Sequence, residues 1–251
     1  MSLLSKDLAT LNAGSGYKFS AAKVTSLGAS EYTLVTLVVD ASSSVDAFAA
    51  QLEQCIKTVF KSCEKSPRKD NLLLRVVQFS SVLTELHGFK LLGTINENDY
   101  NGILKVGGMT ALLDAADEAV VATGTYGKQL TGMDYLVNGI VIVATDGENN
   151  SGNISLPDRL KQSILNVRRA ENLESLRVVL IGVTNDDVNL NHYLQTLKDE
   201  GGFDQYVSIG KATPGKLAKL ADFISQSISS TSSALGTGAP SAPINPTGFK
   251  F

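Results

Sequence analysis

Tryptophan is absent from these 251 residues, and aromatic side chains make up only 6% of them. That scarcity removes the stacking platforms on which single-stranded nucleic acids bind. Basic charge is not in excess either. With 22 Lys and Arg against 25 Asp and Glu, the net charge is −3, which weighs against a nucleic-acid or membrane-surface binder. Cysteine is nearly missing: Cys55 and Cys63 are the only two. They fall on one helical stretch, separated by about 12 Å of helix rise, too far for a disulfide between them. Two reduced thiols fit a reducing compartment, and filling an apolar core is a simpler role for them than redox chemistry. The first seven residues lack the apolar core of a signal peptide, and no run approaches the length of a transmembrane helix. The expectation is a soluble, cytoplasmic chain. A Gly-x-Ser-x-Gly elbow is missing, as is a Gly-x-Gly-x-x-Gly fingerprint at a strand end.

What is present is a hydrophobic content of 43%, enough for one sizeable core. Residues 33–39, Thr-Leu-Val-Thr-Leu-Val-Val, form an apolar run that does not alternate. Such a run reads as a strand buried on both faces. It leads directly into Asp40-Ala41-Ser42-Ser43-Ser44 and then an amphipathic stretch, Val45 to Cys63, with one apolar face at helical spacing. One carboxylate and several hydroxyls at a strand-to-helix turn suit a hard divalent cation such as Mg2+. Open α/β sheets also place their ligands at this end of the strands. Two related pieces follow. Gly107-Gly108-Met109-Thr110 opens a helix, and the apolar run 138–144 ends in Thr145-Asp146-Gly147.

The ordered set of Asp-x-Ser-x-Ser, a Thr, and Thr-Asp-Gly resembles the metal-ion-dependent adhesion site (MIDAS) of von Willebrand factor A (vWA) domains. The resemblance covers roughly residues 33–230, the usual size of one domain. It implies that Asp40 and Asp146 end neighbouring strands where the strand order reverses. It also implies a metal set of Asp40, Ser42, Ser44, Thr110 and Asp146, with the aspartates acting through bound waters. Hydroxyl ligands keep the ion poor in anionic donors, and one position stays open for an acid from another molecule. Each residue has a plainer alternative: Ser42, Ser44 and Thr110 as helix caps, and Asp146 as a turn residue before Gly147. Those alternatives do not explain why all of them fall at one sheet edge.

Along the chain, residues 1–32 read as an N-terminal arm, with short strands near 17–20 and 23–25. Residues 33–230 read as the vWA domain, and 231–251 as a flexible Ser/Gly/Pro-rich tail. Within the domain, strands alternate with helices, which implies parallel pairing through right-handed crossovers. The expected fold is a doubly wound, Rossmann-like α/β sheet of about six strands. Residues 82–92 supply one antiparallel edge strand, and helices cover both faces. Asp114 and Asp117 are expected on a solvated helix face, Glu148, Asn149 and Asn150 as ordinary loop residues, and His87 and His192 in structural or surface positions. Gly210 to Lys216 matches the first seven positions of a phosphate loop. Leu217 then stands where a Ser or Thr is needed, so a turn into the last helix is favoured.

The function these residues imply is a metal-dependent protein–protein interaction module. Its Mg2+ (or Mn2+ or Ca2+) meets an Asp or Glu of a protein partner. A structural component of a larger complex, held by its terminal segments, is the alternative. A metal-dependent hydrolase is weaker, because Ser42 stands where a second carboxylate would be needed as acid or base. Resemblance alone suggests a AAA+ ATPase or a larger assembly as partner.

Overall fold

The computed structural model describes residues 8–13, 16–235, 237 and 243–249. Eight strands form one sheet: β1 (Leu8–Asn12), β2 (Lys18–Ala22), β3 (Glu31–Asp40), β4 (Leu72–Phe79), β5 (Leu83–Leu91), β6 (Leu136–Thr145), β7 (Ser175–Gly182) and β8 (Gln205–Ser208). Their spatial order is β1-β2-β5-β4-β3-β6-β7-β8. From β4 through β3, β6 and β7 to β8 all pairs are parallel. The chain leaves β3 towards β4 on one side and returns to β6 on the other. The crevice between the ends of β3 and β6 is therefore the point where strand order reverses, the usual ligand position in such sheets.

The five α-helices are α1 (Ala49–Glu64), α2 (Leu112–Thr131), α3 (Pro157–Arg169), α4 (Val188–Gly201) and α5 (Pro214–Ala234). They cover both faces. Val35, Leu37 and Val39 of β3 pack in one core with residues of α1 and α5, while Leu34 and Val38 join the other with α2, α3 and α4. A strand with two apolar faces needs no alternation, which explains the unbroken run before Asp40. The buried hydroxyls of Thr36 and Thr123 pair at 2.9 Å, tying β3 to α2. Cys55 and Cys63 are buried and unbridged on α1, and burial pushes both thiols up to about 12.

The α/β fold class agrees with the sequence reading, and the differences lie at its margins. The N-terminal segment lies on the domain as part of its sheet. Its hairpin β1–β2 extends the sheet, with β2 meeting β5 in parallel at Ala21 and Phe89. Thus β5 is antiparallel to β4 but is not the edge; β1 is. A Cβ at Gly88 would stand 1.9 Å from the Ser20 carbonyl oxygen, so this approach requires glycine. Buried Arg75 locks the join. Its Nε donates to Glu85 at 2.8 Å and its fork donates to Glu118 at 3.0 and 2.7 Å. Glu85 also accepts the Ser20 amide at 2.9 Å. Residues 24–26 form a 3-10 turn, where a strand was expected.

At the other end α5 runs to Ala234, past the expected boundary at 230. Thr231 and Ser232 are buried. The Thr231 carbonyl accepts from Asn138 Nδ2 at 2.9 Å, and Ser232 Oγ accepts from Arg68 Nε at 3.0 Å. Further on, the Phe249 ring meets Phe223 edge-on at 5.5 Å, and Gln205 Nε2 donates to the Ile244 carbonyl at 2.7 Å. Residues 236, 238–242, 250 and 251 of the expected flexible tail lie outside the described residues.

Candidate metal centre

Asp40 is the last residue of β3 and Asp146 follows the last residue of β6, so the sheet itself sets both carboxylates in the crevice. Asp40 is pinned twice: Oδ1 accepts the Ser42 amide at 2.8 Å and Oδ2 accepts the Thr145 hydroxyl at 2.6 Å. Ser42 and Ser44 face each other, with their Oγ atoms 3.0 Å apart. Ser44 then donates to Asp146 Oδ1 at 2.8 Å. Four of the five expected ligands are thus joined in one hydrogen-bonded chain. Asp40, Ser42, Thr110 and Asp146 are buried, while Ser44 is exposed and marks the open side.

Thr110 arrives from the loop before α2. Its Oγ1 would lie 3.3 Å from a Cβ built on Gly147, so its hydroxyl rests against the Asp146–Gly147 turn. The loop is stitched to the β3 end by Gly107 N to Ala41 O (2.8 Å) and Ser43 N to Gly108 O (3.1 Å). All five residues predicted from the sequence therefore meet at one edge.

The capping alternatives do not hold. Ser42 precedes the 3-10 turn 43–48 but makes no side-chain cap bond. Helix α2 begins at Leu112 after Ala111, which likewise makes none. Its first amides are met instead by Asn149 Oδ1, from Leu113 N at 3.0 Å. Asn150 Oδ1 accepts from Thr110 N at 2.7 Å. Asn149 and Asn150 are therefore not ordinary loop residues: they hold Thr110 and the helix start. Asp114, expected in solvent, is buried and accepts from the amides of Asn153 (2.9 Å) and Ile154 (3.0 Å) and from the Tyr17 hydroxyl (3.2 Å). Asp117 is buried as well, with one carboxylate oxygen lacking a hydrogen-bond partner. The signal for both was available in the small residues Ala115, Ala116, Ala119, Ala122, Gly124 and Gly127 around them, since a helix apolar nearly all round is a buried one.

The electrostatics are unbalanced. Burial raises the Asp40 carboxyl above the usual carboxylate range, against the pull of the Thr145 and Ser42 bonds. Burial raises Asp146 to about 6, helped by the nearby Asp40 charge and opposed by the Ser44 hydrogen bond. Among the described residues, no ion pair involves either aspartate. Two buried carboxylates with three hydroxyls and no basic side chain paired to them form an all-oxygen donor set, and a hard divalent ion would balance its charge. No cluster of three or more His, Cys, Asp or Glu occurs among the described residues, so a fit here depends on the hydroxyls.

A family model of the von Willebrand factor type A domain matches residues 35–223. The chain belongs to this family. Solved vWA-fold structures align over most of it at low identity. The PilB minor pilin of Streptococcus sanguinis superposes with a TM-score of 0.55 and 17% identity, over 85% of this chain and 65% of that one. Proximal thread matrix protein 1 of the mussel byssus gives 0.51 and 19%, over 80% and 46%. The pilus adhesin SpaC of Lactobacillus rhamnosus GG gives 0.51 and 12%, over 80% and 31%. This vWA chain thus spans less than two thirds of each of those chains. No curated protein shows a significant sequence match to it. Among the described residues no helix is long and apolar enough to cross a membrane.

The other sequence candidates stand apart from this edge. His87 on β5 bonds to Gly88 and Tyr100, and His192 is exposed on α4. Lys216 Nζ donates to the Ile209 carbonyl at 2.9 Å and the Thr213 side chain accepts from Lys216 N at 3.3 Å. The Gly210–Lys216 segment is therefore a closed turn into α5.

Proposed function

We propose that the chain is a divalent-metal-dependent protein–protein interaction module, holding Mg2+ through Asp40, Ser42, Ser44, Thr110 and Asp146. Mn2+ and Ca2+ are the alternative ions. The observation that carries this reading is the buried, uncompensated pair Asp40–Asp146 in a hydroxyl-lined crevice. A bound ion would supply an electrophilic position for a carboxylate of a partner protein. The two aspartates would balance its charge, and the hydroxyls would leave that position hungry for an anionic donor. Family membership supports the same reading. A non-enzymatic role, a AAA+ ATPase or larger assembly as partner, and a cytoplasmic location belong to this proposal.

The test is calorimetric titration with Mg2+ of the intact chain and of Asp146→Ala, followed by capture of partners in Mg2+ and in EDTA. We expect binding by the intact chain only, and partners lost in EDTA. Absence of Mg2+ binding removes the metal from the mechanism. Mg2+ binding with partners retained in EDTA favours a scaffold.

A further inference from the structure

Far from the metal residues in the sheet order, the segment 243–249 lies on a surface that it satisfies only in part. Gln205 is the first residue of β8, the strand at one edge of the sheet. Its side chain is only 9% exposed. Nε2 donates to the Ile244 carbonyl at 2.7 Å, while Oε1 is buried with no hydrogen-bond partner. A buried amide spends its full bonding capacity when it grips a peptide backbone at both ends, and an unmet buried acceptor is costly. Gln205 grips this segment at one end alone.

The sequence of the segment explains the missing bond. In an extended chain the amides on the same side as the Ile244 carbonyl are those of residues 244 and 246. Neither donates to Gln205 Oε1. Residue 246 is a proline and has no N–H to give; it also opens the 3-10 turn Pro246–Phe249, where the chain stops being extended. What holds the segment is apolar. Ile244 and Phe249 pack against the core that β3, β8, α1 and α5 share, and the Phe249 ring stands edge-on to buried Phe223 of α5.

We infer that this groove beside β8 and α5 is a docking site for an extended peptide of a partner protein, with segment 243–249 as its internal placeholder. The ligand places an aliphatic side chain where Ile244 sits and an aromatic one over Phe223. Where Pro246 stands it has another residue, whose N–H meets Gln205 Oε1. A second copy of this chain would bring the same proline and leave the same oxygen unmet, so the occupant is a different sequence. Backbone bonds to Gln205 supply affinity, and the two apolar places supply selection. The inference does not depend on the metal reading.

The experiment measures, by fluorescence anisotropy, the binding of two labelled peptides. One has the sequence of residues 243–249, Pro-Ile-Asn-Pro-Thr-Gly-Phe; the other carries Pro246→Val. The full chain is compared with its Ile244→Ser, Phe249→Ser variant, in which the internal segment competes less. Both peptides should bind this variant at least about tenfold more tightly than the intact chain. On the variant, the Pro246→Val peptide should bind about fivefold or more tighter than its parent. Adding Gln205→Leu should abolish that preference while cooperative thermal unfolding is kept; if Gln205→Leu does not fold, Gln205→Met takes its place and is read in the same way. The inference is overturned by no peptide binding to the variant, by equal binding to the variant and the intact chain, by equal affinity of the two peptides, or by a preference that survives the loss of the Gln205 amide.

Discussion

The Ser44 hydroxyl reaches Asp146 Oδ1 at 2.8 Å, joining positions 102 residues apart across the crevice where strand order reverses. A hydroxyl spent on helix capping could not do this. Ser44 instead bridges the ends of the two central strands and leaves the Asp40 charge close enough to help burial raise Asp146. Opposed carboxylates weaken the metal-free fold and create the demand for a cation.

Asp146→Asn should therefore have opposite effects in two conditions. In EDTA it should stabilise the fold by on the order of 1–3 kcal/mol, because a neutral amide escapes the burial penalty of the charged carboxylate and its repulsion from Asp40. In Mg2+ it should lose the response of the intact chain. That response is about 2.7 kcal/mol at a hundredfold excess over Kd, several degrees of melting temperature at this size. Thermal scans of both proteins in EDTA and in Mg2+ check it. A variant less stable in EDTA, or still stabilised by Mg2+, contradicts the assignment.

His87 predicts a pH dependence. Its Nδ1 faces the Gly88 carbonyl at 2.9 Å and its Nε2 the Tyr100 hydroxyl at 2.8 Å. A carbonyl only accepts, so this network assigns the proton to Nδ1 and has Nε2 accept from Tyr100. Burial lowers its pKa to about 4, with the Lys90 and Arg75 charges adding to the effect. The unfolded chain holds its histidine near 6.5. Between those values the unfolded state binds more protons, so stability is full above 6.5 and lost as pH falls towards 4. The loss is at most about 3 kcal/mol. Urea midpoints between pH 7 and 4.5 should fall more steeply for the intact chain than for His87→Gln. Equal slopes would show that this ring does not titrate as described.

The candidate site is largely legible in the sequence, because its parts follow apolar runs that end abruptly in Asp40 and Asp146. A strand buried on both faces announces its own end. The side chains that support the site are less legible. Asp114, Asn149 and Asn150 look like solvated groups, and their partners are amides some 40 residues away or the first turn of α2. The hairpin β1–β2 is short, and its pairing to β5 rests on Gly88 and the Glu85–Ser20 contact, which no local periodicity encodes. The end of α5 is polar, and Thr231 and Ser232 are buried through long-range hydrogen bonds.

Gly88→Ala tests whether the N-terminal hairpin belongs to the sheet. The added Cβ would collide with Ser20 backbone atoms at 1.9 and 2.4 Å, where a side-chain adjustment gives no relief. Loss of the Ser20–Glu85 bonds would also leave Arg75 with a poorer partner in a buried place. A cost of about 2 kcal/mol or more is expected, with faster proteolysis between residues 8 and 30. If the melting temperature and the cleavage pattern both stay unchanged, β2 does not pack on β5.

The last prediction separates two C-terminal truncations. Deleting residues 231–251 removes the final turn of α5, with buried Thr231 and Ser232. It leaves Asn138 Nδ2, buried on β6, without its acceptor, and takes from Arg68 the Ser232 hydroxyl. A buried donor left unpaired costs about 1–3 kcal/mol. Deleting only residues 237–251 keeps those contacts and loses the ring over buried Phe223 and the acceptor of buried Gln205 Nε2, losses that the longer deletion shares. The longer deletion should therefore lower the melting temperature by several degrees more than the shorter one. Both should keep the proposed Mg2+ response, since the five proposed ligands lie towards the opposite ends of β3 and β6 from Glu31 and Asn138. Equal melting temperatures for the two truncations would mean that the last turn of α5 contributes nothing. Loss of the Mg2+ response in the shorter one would tie the segment 243–249 to the metal edge.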